Sequence, residues 1–280
     1  MAVQASTRHR NTTGVLRRNN VSVAGAPDGR PLVFAHGFGC DQHVWRWVAP
    51  AFAENHPTVL FDHVGAGGSD LSAYDRARYD TLDGYAADVV EICDALDLRD
   101  AVFVGHSVGA TIGVLAAQRA PGRIGALVLV APSPCFLDDP ADGYTGGFSR
   151  EDIDDLLETL AGNYLGWSAA MAPVFMGNPD RPELAEELVN AFCRTDPAIA
   201  EHFATVTFLA DHRRDLAGVE VPTLVLQCSD DVLASEAVGR YVHRQVRGSR
   251  FVQLRATGHC PHIGAPEETA AAIRAFLETT

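Results

Sequence analysis

No stretch of this chain reaches the roughly 18 consecutive apolar residues that a membrane span requires. Residues 1 to 14 are polar and basic, without the apolar centre of a secretion signal. Positive charge is also scarce: 22 Lys and Arg against 36 Asp and Glu leave a net charge of −14. That balance repels a phosphate backbone and an anionic membrane surface, and no Lys/Arg cluster offsets it, so no nucleic-acid or membrane partner is expected. The six cysteines, Cys40, Cys93, Cys135, Cys193, Cys228 and Cys260, are scattered without a Cys-x-x-Cys pair. They read as buried free thiols rather than a disulfide framework. Together these absences point to a cytoplasmic protein.

What is present is a globular composition, 47% apolar and 21% charged over 280 residues, enough for one large domain or one domain with an insertion. Apolar runs recur at Val21 to Val23, Leu32 to Ala35, Thr58 to Phe61, Val102 to Val104, Ala126 to Val130, Thr223 to Leu226 and Phe251 to Leu254. Most read as buried strands. Helical patterns lie between several of them, as at Tyr85 to Leu96 and Glu267 to Leu277, which predicts a mostly parallel sheet covered on both faces. The first strands lack an intervening helix, so the sheet is expected to start antiparallel.

Residues 134 to 213 break this rhythm. They hold no good strand but four helix signals: Ser149 with Asp152 as a cap, Asn163, Pro182, and Pro197. The chain is therefore divided into a core of residues 15–133 and 214–280, a helical insertion over 134–213, and an N-terminal extension 1–14 that is a candidate for disorder. Nine of the 22 aromatics fall in the insertion, which suggests that some line an apolar pocket while others only pack the helices.

The chemical signal is Gly105-His106-Ser107-Val108-Gly109, placed after an apolar run and before a helical pattern that Pro121-Gly122 stops. A serine between two glycines at a strand-to-helix turn has the form of a nucleophile elbow. Its hydroxyl needs a base, and the base needs an acceptor on its other nitrogen. His259, just past the last predicted strand, is the best base; His36, His106 and His262 are weaker candidates. The acid comes from Asp230 or Asp231, past the strand Thr223 to Gln227. The order serine, aspartate, histidine at successive strand ends is that of an α/β-hydrolase fold. The turn His36-Gly37-Phe38-Gly39 supplies a second oxyanion donor, so the amides of Phe38 and Val108 are the expected pair.

Two competing readings are weaker. His259, Cys260 and His262 lack a partner acid at metal-site spacing, and Asp62-x-x-Gly65-x-Gly67 lacks the third glycine of a dinucleotide loop. Neither a metal nor any other cofactor is expected.

The motifs Gly37-Phe38-Gly39-Cys40-Asp41-Gln42, Thr81-Leu82-Asp83-Gly84-Tyr85, Val104 to Ala110, Pro132-Ser133-Pro134-Cys135, Gly146-Gly147-Phe148 and Gly258 to His262 closely resemble the RsbQ-like bacterial energy-stress regulators. The same pattern is similar to the plant karrikin and strigolactone receptors of the α/β-hydrolase superfamily. This resemblance, which runs from about Val15 to the C-terminus, implies a Ser-Asp-His triad beneath a four-helix lid that encloses a small hydrophobic cavity. By residue matching it implies Ser107 as nucleophile, His259 as base, Asp231 as the acid, and Phe38 and Val108 as oxyanion donors. Phe136 and Phe148 match or neighbour cavity positions, and Trp167 and Phe203 are further candidates for the pocket. Ser235 departs from the pattern, since relatives often carry proline there. The resemblance implies either a serine hydrolase acting on a small hydrophobic ester or lactone through an acyl-enzyme, or a ligand-sensing regulator that engages a PAS-domain phosphatase.

Overall fold

The computed structural model describes residues 14–280, so the expectation for the N-terminal extension lies outside the described residues up to position 13. Seven strands, β1 (Ser22–Gly25), β2 (Leu32–Ala35), β3 (Pro57–Leu60), β4 (Ala101–His106), β5 (Ile124–Val130), β6 (Thr223–Gln227) and β7 (Arg250–Gln253), form one sheet. Its order is β1-β3-β2-β4-β5-β6-β7. β1 runs antiparallel to β3, with Ser22 opposite Leu60, and every other pair is parallel.

Successive strand residues point to opposite faces, and here both faces are covered. Val33, Phe103, Leu127, Leu129 and Val225 share one apolar cluster with helices α1 (Leu82–Ala95) and α2 (Val108–Arg119). Phe34, Val102, Val104, Val128 and Leu226 belong to a second cluster on the other face, which includes Ile273 and Phe276 of the C-terminal helix. Two-sided burial is why β2, β4, β5 and β6 read as unbroken apolar runs. β1 is exposed along its length and β7 nearly so, contrary to a buried reading of their sequences. Each is an edge strand with one neighbour, and fewer residues pack over it.

Between β5 and β6 lie four helices: α3 (Arg150–Gly162), α4 (Tyr164–Met176), α5 (Pro182–Phe192) and α6 (Pro197–Phe208). Their starts follow the local signals. Ser149 and Asp152 form a reciprocal capping box, the Asn163 side chain accepts from the Gly166 amide, and prolines occupy the first position of α5 and α6. After β6 come α7 (Glu236–Gln245), a single turn α8 (Pro261–Gly264) and α9 (Pro266–Leu277). No helix among the described residues is long and apolar enough to cross a membrane.

The Asp62 loop is a structural clasp. Its buried carboxylate accepts from the amides of Gln42 and Gly68 and from the Asn20 side chain, at 2.7, 2.8 and 2.7 Å. The glycines that follow let the chain close around that carboxylate.

Candidate active site

Because β2, β4, β6 and β7 are parallel, the loops at their carboxyl ends emerge along one edge of the sheet. Those loops carry residues 36–39, Ser107, Asp231 and His259.

Ser107 sits at the tip of the turn from β4 into α2 with φ 54° and ψ −124°, a conformation unfavourable for a residue with a side chain. The surroundings hold it there. Its amide donates to the Val130 carbonyl (2.9 Å) and its carbonyl accepts from the Ala110 amide (2.9 Å). The flanking glycines permit the close approach: a Cβ on Gly105 would strike the carbonyl of Gly109, and one on Gly109 would lie 2.6 Å from the His36 carbonyl oxygen.

His259 Nε2 lies 2.8 Å from Ser107 Oγ, and its Nδ1 lies 2.8 Å from Asp231 Oδ2 and 3.1 Å from Oδ1. A carboxylate only accepts, so Nδ1 carries the proton and Nε2 is free to accept from the serine hydroxyl. Asp231 Oδ1 also accepts from the amides of Leu233 and Ala234 (2.9 and 3.0 Å), which orients the carboxylate. Asp230 is exposed, and its backbone carbonyl instead accepts from the Gly258 amide (2.6 Å).

The backbone of His259 is held on both sides. Its amide donates to the Phe175 carbonyl at the end of α4 (2.7 Å), and its carbonyl accepts from His106 Nε2 (2.8 Å). His106 thus points away from Ser107 and braces the neighbouring loop. His262 packs between Trp45 and His106, with ring centroids 4.5 and 4.3 Å away. Burial pushes the pKa values of His36, His63 and His106 down and that of His262 down to about 3, so these rings stay neutral behind the site. Among the described residues, no group of three or more His, Cys, Asp and Glu side chains is arranged to hold a metal ion.

The loop 36–39 runs beside the serine: a Cβ on Gly37 would lie 3.1 Å from Ser107 Cβ. Val108 opens α2, where the first amides have no acceptor within the helix, and Phe38 follows Gly37 in the adjacent loop. Phe38 also turns its ring into a cavity shared with Ser107 and His259. That cavity is narrow, with a volume of about 20 Å³. Its walls are largely apolar, from Phe136, Phe175, Leu188, Phe192, Phe208 and Leu233, with Thr207 and the thiols of Cys40 and Cys260 among them.

Of the four pocket candidates read from the sequence, Phe136 lies on this wall. Phe148, Trp167 and Phe203 stand one layer back: Phe148 packs on Phe136 (6.3 Å between centroids), Trp167 on Phe38 and Phe192 (6.2 and 5.6 Å), and Phe203 on Phe38 and Tyr85 (5.9 and 4.6 Å). The reason lies in how the helices turn. α4 is apolar around most of its circumference, so its sequence does not single out an inward face, and the packing buries Trp167 and Phe175 while Leu165 and Val174 stay exposed. Phe175, Leu188, Phe192, Thr207 and Phe208 were not assigned to the pocket from sequence. The available signal was their place near the C-terminal ends of α4, α5 and α6.

Residues 32–272 match the model of the alpha/beta hydrolase family. The chain belongs to that family and is an enzyme of the hydrolase class. It is 36% identical over 264 residues to the strigolactone esterase D14 of Arabidopsis thaliana, covering 94% of this chain and 97% of the relative. It is 35% identical to the karrikin insensitive 2 receptor CA of Petunia hybrida, over 89% of this chain and 92% of that one. Among solved structures, olei00960, a hydrolase from Oleispira antarctica, superposes with a TM-score of 0.92 at 38% identity, over 96% of this chain and 98% of that one.

Proposed function

We propose that this chain is a serine hydrolase that cleaves a small hydrophobic ester or lactone through an acyl-enzyme. The observation that supports this reading most is the unbroken contact from Ser107 Oγ through His259 to Asp231 at the floor of an apolar cavity. In this scheme Ser107 attacks the carbonyl carbon as its proton passes to His259 Nε2, and the Asp231 carboxylate stabilises the imidazolium. The negative charge that gathers on the carbonyl oxygen meets the amides of Phe38 and Val108, and charge-directed donors favour the tetrahedral state over the flat ester. His259 then protonates the leaving alkoxide. A water, deprotonated by the same imidazole, releases the acid. With a lactone, the leaving alcohol stays tethered to the acyl group. Helices α3 to α6 act as the lid, excluding bulk water from the reacting atoms.

The bond from the His259 amide to the Phe175 carbonyl favours a second reading, because it ties the base to the lid. In this reading the protein is a sensor whose lid changes population when ligand binds one lid state more tightly than the other, and a PAS-domain phosphatase is the partner. Slow single turnover with ligand-dependent association would favour the sensor; rapid turnover of several short esters would favour the enzyme.

Intact mass after treatment with a fluorophosphonate tests the chemistry. One adduct that maps to Ser107, absent in Ser107→Ala and suppressed by a competing lactone, is expected. A folded wild-type protein that takes no adduct would overturn the proposal.

A further inference from the structure

Thr207 lies on α6 and is 3% exposed, yet its Oγ1 has no hydrogen-bond partner while the residue lines the cavity. A helical threonine commonly returns its hydroxyl to a carbonyl one turn back. Thr205 on the same helix does this, donating to the Glu201 carbonyl at 2.9 Å. Thr207 does not, and a hydroxyl buried without a partner costs stability.

The other polar groups on the wall are occupied or face elsewhere. Ser107 Oγ and His259 Nε2 engage each other, and His106 Nε2 donates to the His259 carbonyl. His106 Nδ1 faces Gly37, where a Cβ would come within 2.7 Å of it. The remaining walls are aromatic and aliphatic, apart from two thiols that burial and nearby negative charge keep protonated. The Thr207 hydroxyl is therefore a buried donor without a protein acceptor, on a residue that lines a greasy cavity.

We propose that Thr207 determines specificity by donating to a ligand oxygen other than the carbonyl held by Phe38 and Val108. The favoured substrate class then carries a second acceptor oxygen, as an ether, ketone or ring oxygen, besides the ester or lactone that reacts. A purely hydrocarbon acyl group leaves the hydroxyl unpaired and is selected against. This inference rests on the reading of the cavity as the ligand site.

The test uses two esters of equal length and shape, p-nitrophenyl 3-methoxypropanoate and p-nitrophenyl pentanoate, with wild type, Thr207→Val and Thr207→Ser. Comparing the ratio of kcat/KM for the two esters between variants cancels their intrinsic difference in reactivity. The methoxy-to-pentanoate ratio is expected to fall about tenfold in Thr207→Val, which keeps the shape and removes the donor, and to return towards wild type in Thr207→Ser. The affinity of both esters for Ser107→Ala, with and without Thr207→Val, gives the same ratio without hydrolysis. A shifted binding ratio in a wild-type protein that hydrolyses neither ester would support the subsite while removing the hydrolase reading. Hydrolysis with an unchanged ratio would overturn the subsite and leave the hydrolase reading standing. If Thr207→Val does not fold, Thr207→Cys, similar in size and a weak donor, takes its place with the same expected fall.

Discussion

The amide of His259 donates to the carbonyl oxygen of Phe175 at 2.7 Å, so the candidate base takes its backbone position from the inserted helices as well as from the sheet. Gly258 makes this approach achievable. It has φ 78°, and a Cβ there would run into the carbonyl of Met176, which is backbone and cannot swing aside. Gly258→Ala is expected to lower stability by roughly 1–3 kcal/mol. It is also expected to reduce ester hydrolysis at temperatures where the variant is still folded. Urea unfolding read beside kcat/KM checks both; full activity in a destabilised protein would show that the tie does not position the base.

The carboxylates at positions 230 and 231 are adjacent in sequence and differ in contact. Asp231→Asn is expected to cut kcat about 10³–10⁴-fold, because an amide donor opposite Nδ1 favours the wrong tautomer. Asp230→Asn leaves the His259 contact untouched and is expected to stay near wild type. Hydrolysis of a short p-nitrophenyl ester separates the two, and equal activity in Asp231→Asn and wild type would refute the assignment.

Acid should destabilise this fold through its neutral histidines. His36, His63, His106 and His262 all have folded-state pKa values below 6.5, His262 at about 3, with burial the largest cause. The unfolded chain therefore binds more protons than the folded one between those values. Their contribution is fully present above about pH 6.5 and is lost as pH falls towards 3, each histidine adding up to about 1.4 kcal/mol per pH unit within its own window. His262→Phe, which keeps an aromatic ring against Trp45, is expected to flatten the fall in urea midpoint between pH 7 and 4.5. An unchanged slope would remove His262 from this account.

Ser235 stands where the family resemblance leads one to expect proline. Its φ of −61° already suits proline, and its side chain makes no capping bond to α7. Ser235→Pro is expected to stabilise by about 0.4–1 kcal/mol, mainly by restricting the unfolded chain. A rise in Tm with unchanged ester hydrolysis checks this.

The site was legible in the sequence where local backbone geometry sets it. The elbow around Ser107 needs glycines at fixed offsets, and the loop after the last strand presents His259, so both appear as pattern. The choice between Asp230 and Asp231 has no such signature. Both occupy the same short loop, and the residue pattern alone left them open, with only the family resemblance favouring the second. Contact with His259 distinguishes them.

By itself the sequence determined the alternation of strands and helices, the four-helix insertion and the order of the candidate catalytic residues along the chain. Apolar periodicity, caps and turn residues act over a few positions and are written locally. Tertiary structure alone decided which aromatic rings face the cavity, why Trp167 and Phe203 stand behind it, and how Thr207 came to line it with a hydroxyl lacking a partner. Those outcomes depend on how each helix rolls about its axis when it packs on residues far away in the chain. On a helix as uniformly apolar as α4, that roll leaves no trace in the order of amino acids.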